Sequence, residues 1–386
     1  MFNAQAAAID SNYRRRVRLG GTMLCFGQFM NPQQYALTPH ARFRAFGSTL
    51  KQRFGGRVQR ISIDAGFTCP NVDGAVAKGG CNFCDNRSFS PSRRVRLAAV
   101  HEQLVRGIRS VRKRYGKVAG FIAYFQPATN TYAPVDQLEE VFRLALAHSP
   151  EIVGLAIGTR PDCVPDPVLE LVDQLAAETY VSLELGMQSR HDQTLQWMNR
   201  AHRHGHMVDA MNRARNRRFE TCAHVILGVP GETYDHMMHT ARSIGALAVS
   251  AVKLHNLYAV RDTPLGTSVL AGEVTMMSRQ QYVRAVVDFL RRIPEHVVVE
   301  RVSGDAPPDY LIEPKWCLEK ASLRSDIESE MQRLDAYQGD QYDPLWQDEP
   351  IEPLPTPQAI SERIGTRGRL PVLRMQDSLH LSSIVF

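Results

Sequence analysis

The chain has 386 residues, 44% of them hydrophobic, a formal net charge of +6 and an isoelectric point near 9.0. That is enough apolar material for one large core or two modest ones, as in a globular protein of enzyme size, and the positive charge admits a polyanion such as RNA as a partner without requiring one. Seven cysteines, an odd number in a long chain, exclude a disulfide scaffold and point to a reducing compartment, the cytoplasm.

The opening run MFNAQAAAIDSNYRRRVRLGGTMLCF places its arginines after a short alanine stretch and has no long apolar core. It reads neither as a signal peptide nor as a membrane span, and no later segment is long enough to cross a membrane. Residues 1–44 are therefore taken as an N-terminal extension, 45–320 as the core, and 321–386 as a helical segment followed by a Pro-rich tail without imposed structure.

From residue 57 onward short β-branched runs alternate with stretches of helical period. Strands are expected at 58–65 (VQRISIDA), 120–125 (GFIAYF), 152–159 (IVGLAIGT), 180–185 (YVSLEL), 221–227 (TCAHVIL) and 251–257 (AVKLHNL). The first intervening helix carries Val100, Leu104, Val105, Ile108 and Val111 on one stripe, with Arg106, Arg109, Arg112 and Lys113 off it. Pro134 and Pro167 stand where the next two helices begin, with Asp166 as a cap for the second. A further helix at 278–292 leads to the run HVVVERV, a candidate seventh unit. Repeated strand–helix units imply parallel pairing in an α/β fold, doubly wound or barrel-like, with chemistry at the carboxyl ends of the strands.

The distinctive residues do follow the strands: a cysteine loop after the first, FQPATNTY after the second, GTRPD after the third, ELGMQS through the fourth and ILGVPGET after the fifth. In CPNVDGAVAKGGCNFC, Cys69, Cys81 and Cys84 are three potential thiolate ligands with no histidine among them. Zinc would need a fourth ligand, and neither His101 nor Asp85 is well placed to supply one. An iron–sulfur cubane held by three thiolates would leave one iron open. Cys25, Cys163, Cys222 and Cys317 are scattered and read as small buried hydrophobes, with Cys163 and Cys317 the two to watch. His202, His204 and His206 look metal-like, yet His202 is expected only behind the metal site. His224, Lys253 and His255 are candidates for substrate contact from strands five and six. The runs RSVRKRYGK and NRARNRR read first as solvated helix faces and second as an RNA footprint.

Taken in order, ISIDAGFTCPNVDGAVAKGGCNFC, YFQPATNTY, VGLAIGTRPDCVP, LELGMQS, MNRAHRHG, HVILGVPGET and VKLHNLYAVRDTPL resemble the radical S-adenosylmethionine (SAM) superfamily. Within it the match is to the YhcC-like bacterial family, related to the catalytic core of Elongator. The resemblance covers residues 46–320; Val72 and Ala201 depart from it at positions where arginine and glycine are usual. It implies a partial (β/α)6 TIM-like barrel with a C-terminal extension. It also implies a 4Fe–4S cluster on Cys69, Cys81 and Cys84, with SAM on the fourth iron. Phe83, Ile226 and Gly228 would flank the adenine. Gln126, Thr129 and Asn130 would face the methionyl end, and Glu184 and Gln188 the ribose or methionyl carboxylate. Reductive cleavage of SAM would give a 5′-deoxyadenosyl radical that takes hydrogen from an unidentified substrate, with tRNA or another RNA among the candidates. A one-electron reductant such as flavodoxin or ferredoxin would be a partner. The alternative is a non-catalytic iron–sulfur electron carrier or a cluster-bearing RNA-binding protein, although a carrier would normally supply a fourth protein ligand.

Overall fold

The structure is a computed structural model that describes residues 41–90, 97–347 and 349–375. Cys25 and most of the expected N-terminal extension lie outside the described residues, as does the end of the basic tail. In chain order the elements begin with α1 (Phe46–Phe54), β1 (Val58–Ile63), α2 (Asn86–Phe89), α3 (Val100–Tyr115), β2 (Gly120–Phe125), α4 (Val135–Ala147) and β3 (Ile152–Thr159). There follow α5 (Asp166–Ala176), β4 (Tyr180–Gln188), α6 (Asp192–Trp197), α7 (His204–Ala214), β5 (Glu220–Leu227), α8 (Tyr234–Ala246) and β6 (Ala251–Asn256). The chain continues through β7 (Ala259–Val260), α9 (Pro264–Leu270), α10 (Arg279–Arg292), β8 (Val298–Arg301), β9 (Leu311–Glu313), α11 (Lys320–Arg333) and α12 (Gln358–Thr366).

Seven parallel strands in the order β1-β2-β3-β4-β5-β6-β8 form a curled half-barrel with helices around it. The expected six units are present, and the seventh, α10 with β8, adds a strand beside β6. The helices α3, α4 and α5 each bury one face on the sheet. In α3 this is Val100, Gln103, Leu104 and Ile108, and the Gln103 amide satisfies both the N–H and the C=O of Asp64. The start of α5 differs from expectation: Pro165 is the cap, Asp166 lies in the first turn, and its carboxylate is paired with Arg213 at 3.1 Å. β4 runs three residues beyond its expected end, to Gln188.

Alternate residues of each strand face the concave side, even-numbered in β1 to β5 and odd-numbered in β6, where Cys222 is level with Ala251 and His224 with Lys253. They form layers. At the base, Cys222, Ala251 and Val298 pack beneath Phe46 of α1, while Leu50 joins Val58, Ile122, Ala156 and Tyr180. The barrel is thus plugged at the amino ends of its strands. Above the plug lies a charged layer, and above that the cysteine loop.

The Pro-rich tail, expected to have no imposed structure, is folded over the barrel where described. Its backbone crosses the start of α7, Leu354 N donating to Gly205 O at 3.0 Å. A Cβ at position 205 would stand 2.5 Å from Glu352 O, so this close approach requires glycine. Farther on, Ile360 and Ile364 of α12 pack with Tyr132 and Cys163, against Ala75 and Val76 of the cysteine loop. Arg369 then pairs with Glu140.

Candidate active site

The loop from Ala65 to Cys84 joins β1 to α2. It is bonded internally, Cys69 O accepting from Val72 N and Asp73 N at 2.8 and 3.1 Å, and Cys84 N donating to Cys81 O at 3.0 Å. It is also clamped by the segment between α6 and α7. Asn82 N donates to Met198 O at 3.1 Å, the Asn82 amide donates to Trp197 O, Asn71 Nδ2 donates to Asn199 O, and Asn199 Nδ2 donates to Gly80 O at 2.6 Å. These bonds fix a loop that has no regular structure of its own.

Two donors reach the Cys81 sulfur: Asn71 Nδ2 at 3.4 Å and Arg200 Nη1 at 3.3 Å. Arg200 Nη2 also donates to Gly186 O at 3.1 Å, tying the loop to the end of β4, where Gln188 sits at φ 68°. Neither Asn71 nor Arg200 was singled out from the sequence; Asn71 between the first two cysteines and Arg200 in the MNRAHRHG block were the available signals. Beneath the loop lies the GTRPD turn. Arg160 forks onto Asp162 at 2.9 and 2.7 Å; burial would raise that carboxyl, but Arg160 outweighs it and holds it down to about 2. His202 is buried alongside, and burial, together with Arg200 and Arg160, keeps its ring neutral well below the ordinary histidine range.

Among the described residues, no three His, Cys, Asp or Glu side chains are grouped so that they could hold a single metal ion. A cubane has no such need, because each thiolate binds a different iron. Its fit is supported by polar groups left over around the loop: the donors Arg160 Nη1 and Arg200 Nε are buried without a partner, and so is the neutral His202 ring at both of its nitrogens. Such groups suit an environment that carries sulfide and thiolate charge. By contrast Cys163, Cys222 and Cys317 are fully buried, and burial raises each thiol, Cys317 to about 11. They are neutral packing groups, as expected.

The remaining expected residues fall into three places. Phe83 packs in one apolar cluster with Met198, Ile226, Val229, Leu257 and Leu265, and Gly228 follows at φ 83°. Gln126 donates to Ser62 Oγ at 2.8 Å, and Asn130 Nδ2 donates to Gly158 O at 2.8 Å while its Oδ1 is buried without a partner. Thr129 is buried beside it, its N–H donating to Thr68 O at 3.2 Å. Glu184 lies deeper, with 0% exposure, in the charged layer.

That layer is built from strands β1, β2, β4, β5, β6 and β8. Arg60 meets Glu184 at 2.8 Å and forks onto Glu300 at 2.7 and 2.6 Å; Lys253 pairs with Glu184 and, at 3.1 Å, with Glu300. Tyr124 accepts from Lys253 at 3.3 Å, and His224 Nε2 lies 2.8 Å from Glu184. Burial alone would neutralise Glu184, yet Arg60 and Lys253 hold it well below the carboxylate range, while burial and Lys253 lower His224 to about 4. The layer therefore contains charged Arg60, Lys253 and Glu184 around a neutral His224, with Glu300 bonded to both cations. His224 and Lys253 were anticipated; Arg60, Tyr124 and Glu300 were not.

Comparison with known proteins bears on this arrangement. The family model described as "Radical SAM superfamily" matches residues 76–244, and that of the "Radical_SAM C-terminal domain" matches residues 249–333. The chain is 36% identical over 315 residues to the uncharacterized protein YtqA of Bacillus subtilis, covering 80% of this chain and 95% of the relative. It is 34% identical over 273 residues to protein YhcC of Escherichia coli, covering 70% and 86%. Among solved structures, the archaeal Elp3 of Methanocaldococcus infernus with an N-terminal deletion superposes with a TM-score of 0.55 at 15% identity, covering 73% of this chain and 64% of that one. This last likeness is one of fold.

Proposed function

Because the chain belongs to the radical SAM superfamily, in the family of YtqA and YhcC, we propose that Cys69, Cys81 and Cys84 bind its 4Fe–4S cluster and that its substrate enters between the cysteine loop and the charged layer. The cofactors of the superfamily, the cluster and SAM, supply when bound a one-electron cleavage of SAM that yields a hydrogen-abstracting 5′-deoxyadenosyl radical. The observation that carries the assignment of ligands is the isolated set of three thiols in a loop clamped from α6 to α7 and approached by the cation Arg200.

The chain's own residues then have separable tasks. Arg200 and Asn71 orient the Cys81 sulfur and withdraw charge from it, as hydrogen bonds to cluster sulfurs do. Phe83, Ile226 and Gly228 form the apolar seat for an adenine. Gln126, Thr129 and Asn130 line the methionyl side, where the unpartnered Asn130 Oδ1 is an acceptor for an ammonium group. The Gln188 amide, beside Gly186 and the Arg200 guanidinium, is placed to meet the ribose or methionyl carboxylate, whereas Glu184 contributes by fixing Lys253 and His224. A reducing compartment, the cytoplasm, accords with the free thiols of all six described cysteines, and a one-electron reductant such as flavodoxin is the partner this chemistry calls for. Among the described residues no helix is long and apolar enough to cross a membrane. The arginine run offers little support for RNA: Arg213 is paired with Asp209 and Asp166, and Arg218 with Asp173.

Anaerobic reconstitution tests the ligand assignment. The native chain is expected to bind about four irons and about four sulfides, and Cys69→Ala, Cys81→Ala or Cys84→Ala to lose them, while Cys222→Ala and Cys317→Ala retain them. Full iron loading in any of the first three variants would contradict the assignment.

A further inference from the structure

The charges in the barrel do not balance. Arg60 and Lys253 are both shared between Glu184 and Glu300. Arg301, the last residue of β8, adds a third cation, and among the described residues no carboxylate lies within 4.0 Å of its guanidinium. Its Nη2 instead meets the His255 ring, 2.8 Å from Nε2, and its Nε is buried without a partner. His255 supplies no counter-charge, since burial and the nearby Arg301 keep it neutral. A guanidinium held half-buried without an anion is costly, and its planar fork matches a carboxylate or a phosphate.

A Cβ on Gly304 would lie 3.2 Å from His255 Nδ1, 3.3 Å from the Tyr258 ring and 3.4 Å from Arg301 Nη2, so any side chain at this position would crowd the guanidinium and its two neighbours. Tyr258, held neutral by burial, packs beside this corner against Val260, Ala306, Leu311 and Cys317. The His255 ring also stands 5.5 Å from that of His224, linking the corner to the charged layer.

We propose that Arg301, flanked by His255 and Tyr258, anchors a carboxylate or phosphate group of the substrate. Calling the anion a substrate group rests on the radical SAM reading; the anion site itself does not.

The test titrates the full-length, cluster-loaded, oxidised protein with inorganic phosphate and, separately, acetate at constant ionic strength, following arginine Nε–H groups by nuclear magnetic resonance. The Arg301 signal is identified by its absence from the Arg301→Gln spectrum, or from that of Arg301→Lys if the first variant does not fold. It is expected to shift saturably with one anion, the more effective one distinguishing a phosphate from a carboxylate site, while Arg60, already held by two carboxylates, stays fixed. Saturating SAM is expected to leave this titration in place, and the variant to bind SAM within about twofold of the native chain but the anion at least about tenfold more weakly. Unsaturable drift with both anions overturns the proposal. So does competition by SAM, or a tenfold loss of SAM binding in the variant, which would assign Arg301 to the carboxylate of SAM. Saturable anion binding in a protein that never cleaves SAM would leave the anion site standing and remove the enzymatic reading.

Discussion

At Glu184 a carboxylate with no exposure keeps its charge because Arg60 and Lys253 face it from neighbouring parts of the barrel. The consequence at His224 is measurable. Its ring titrates at about 4 in the folded chain against an ordinary 6.5, so between those values the unfolded chain holds the additional proton. Stability therefore rises with pH across that window; His224 contributes nothing unfavourable above it, and up to about 3 kcal/mol is lost as pH falls through it. Glu184 acts below that range, its contribution being present above the ordinary carboxylate value and lost as pH falls through its depressed one. Denaturant unfolding at a series of pH values should show a shallower acid loss in His224→Gln than in the native chain. An unchanged slope would mean that His224 is not held neutral. Such a layer was only partly legible in the sequence. His224, Lys253 and Glu184 stood out on strands, but Arg60 within the first strand and Glu300 and Arg301 in HVVVERV carried no distinguishing motif, and only the curled barrel brings them inward.

At the scale of elements, the strands were legible because β-branched runs of period two bounded by glycine and proline have few alternatives. β2 and β3 agree with expectation at both ends. The β-branched run alone ended β4 at Leu185; its extension to Gln188, which sits at φ 68°, comes with a tertiary constraint, Arg200 holding Gly186 O. The tail was missed for a related reason. Ile360, Ile364, Leu370, Val372 and Leu373 are spaced among prolines and charges with no long apolar stripe; Ile360 and Ile364 become core only against Tyr132, Cys163 and the cysteine loop, while Leu370, Val372 and Leu373 join the main core. α12 is thus a brace for that loop. Ile360→Ala should cost about 2–4 kcal/mol locally through the cavity it leaves. Hydrogen exchange in the cysteine-loop peptide that contains Ala75 and Val76 should speed up while β3 and β4 remain protected. Unchanged exchange in the loop peptide would show that α12 does not brace it.

For the molecule as a whole, the layers assign different work to different depths: an apolar plug at the amino ends of the strands, a charged layer whose buried groups hold one another in place, and a clamped loop of thiols above. The family places a cluster and SAM in such a barrel, and the account adds where this chain's own residues would hold them. Its central claim is that three cysteines leave one iron for SAM. The most direct measurement is the electron paramagnetic resonance spectrum of the reduced, reconstituted protein with and without SAM, read beside the 5′-deoxyadenosine formed with a strong reductant. The account predicts a spectrum altered by SAM and 5′-deoxyadenosine in the native chain, with both lost in Cys81→Ala. A cluster whose spectrum ignores SAM, and which yields no 5′-deoxyadenosine, would contradict it and make the protein an electron carrier.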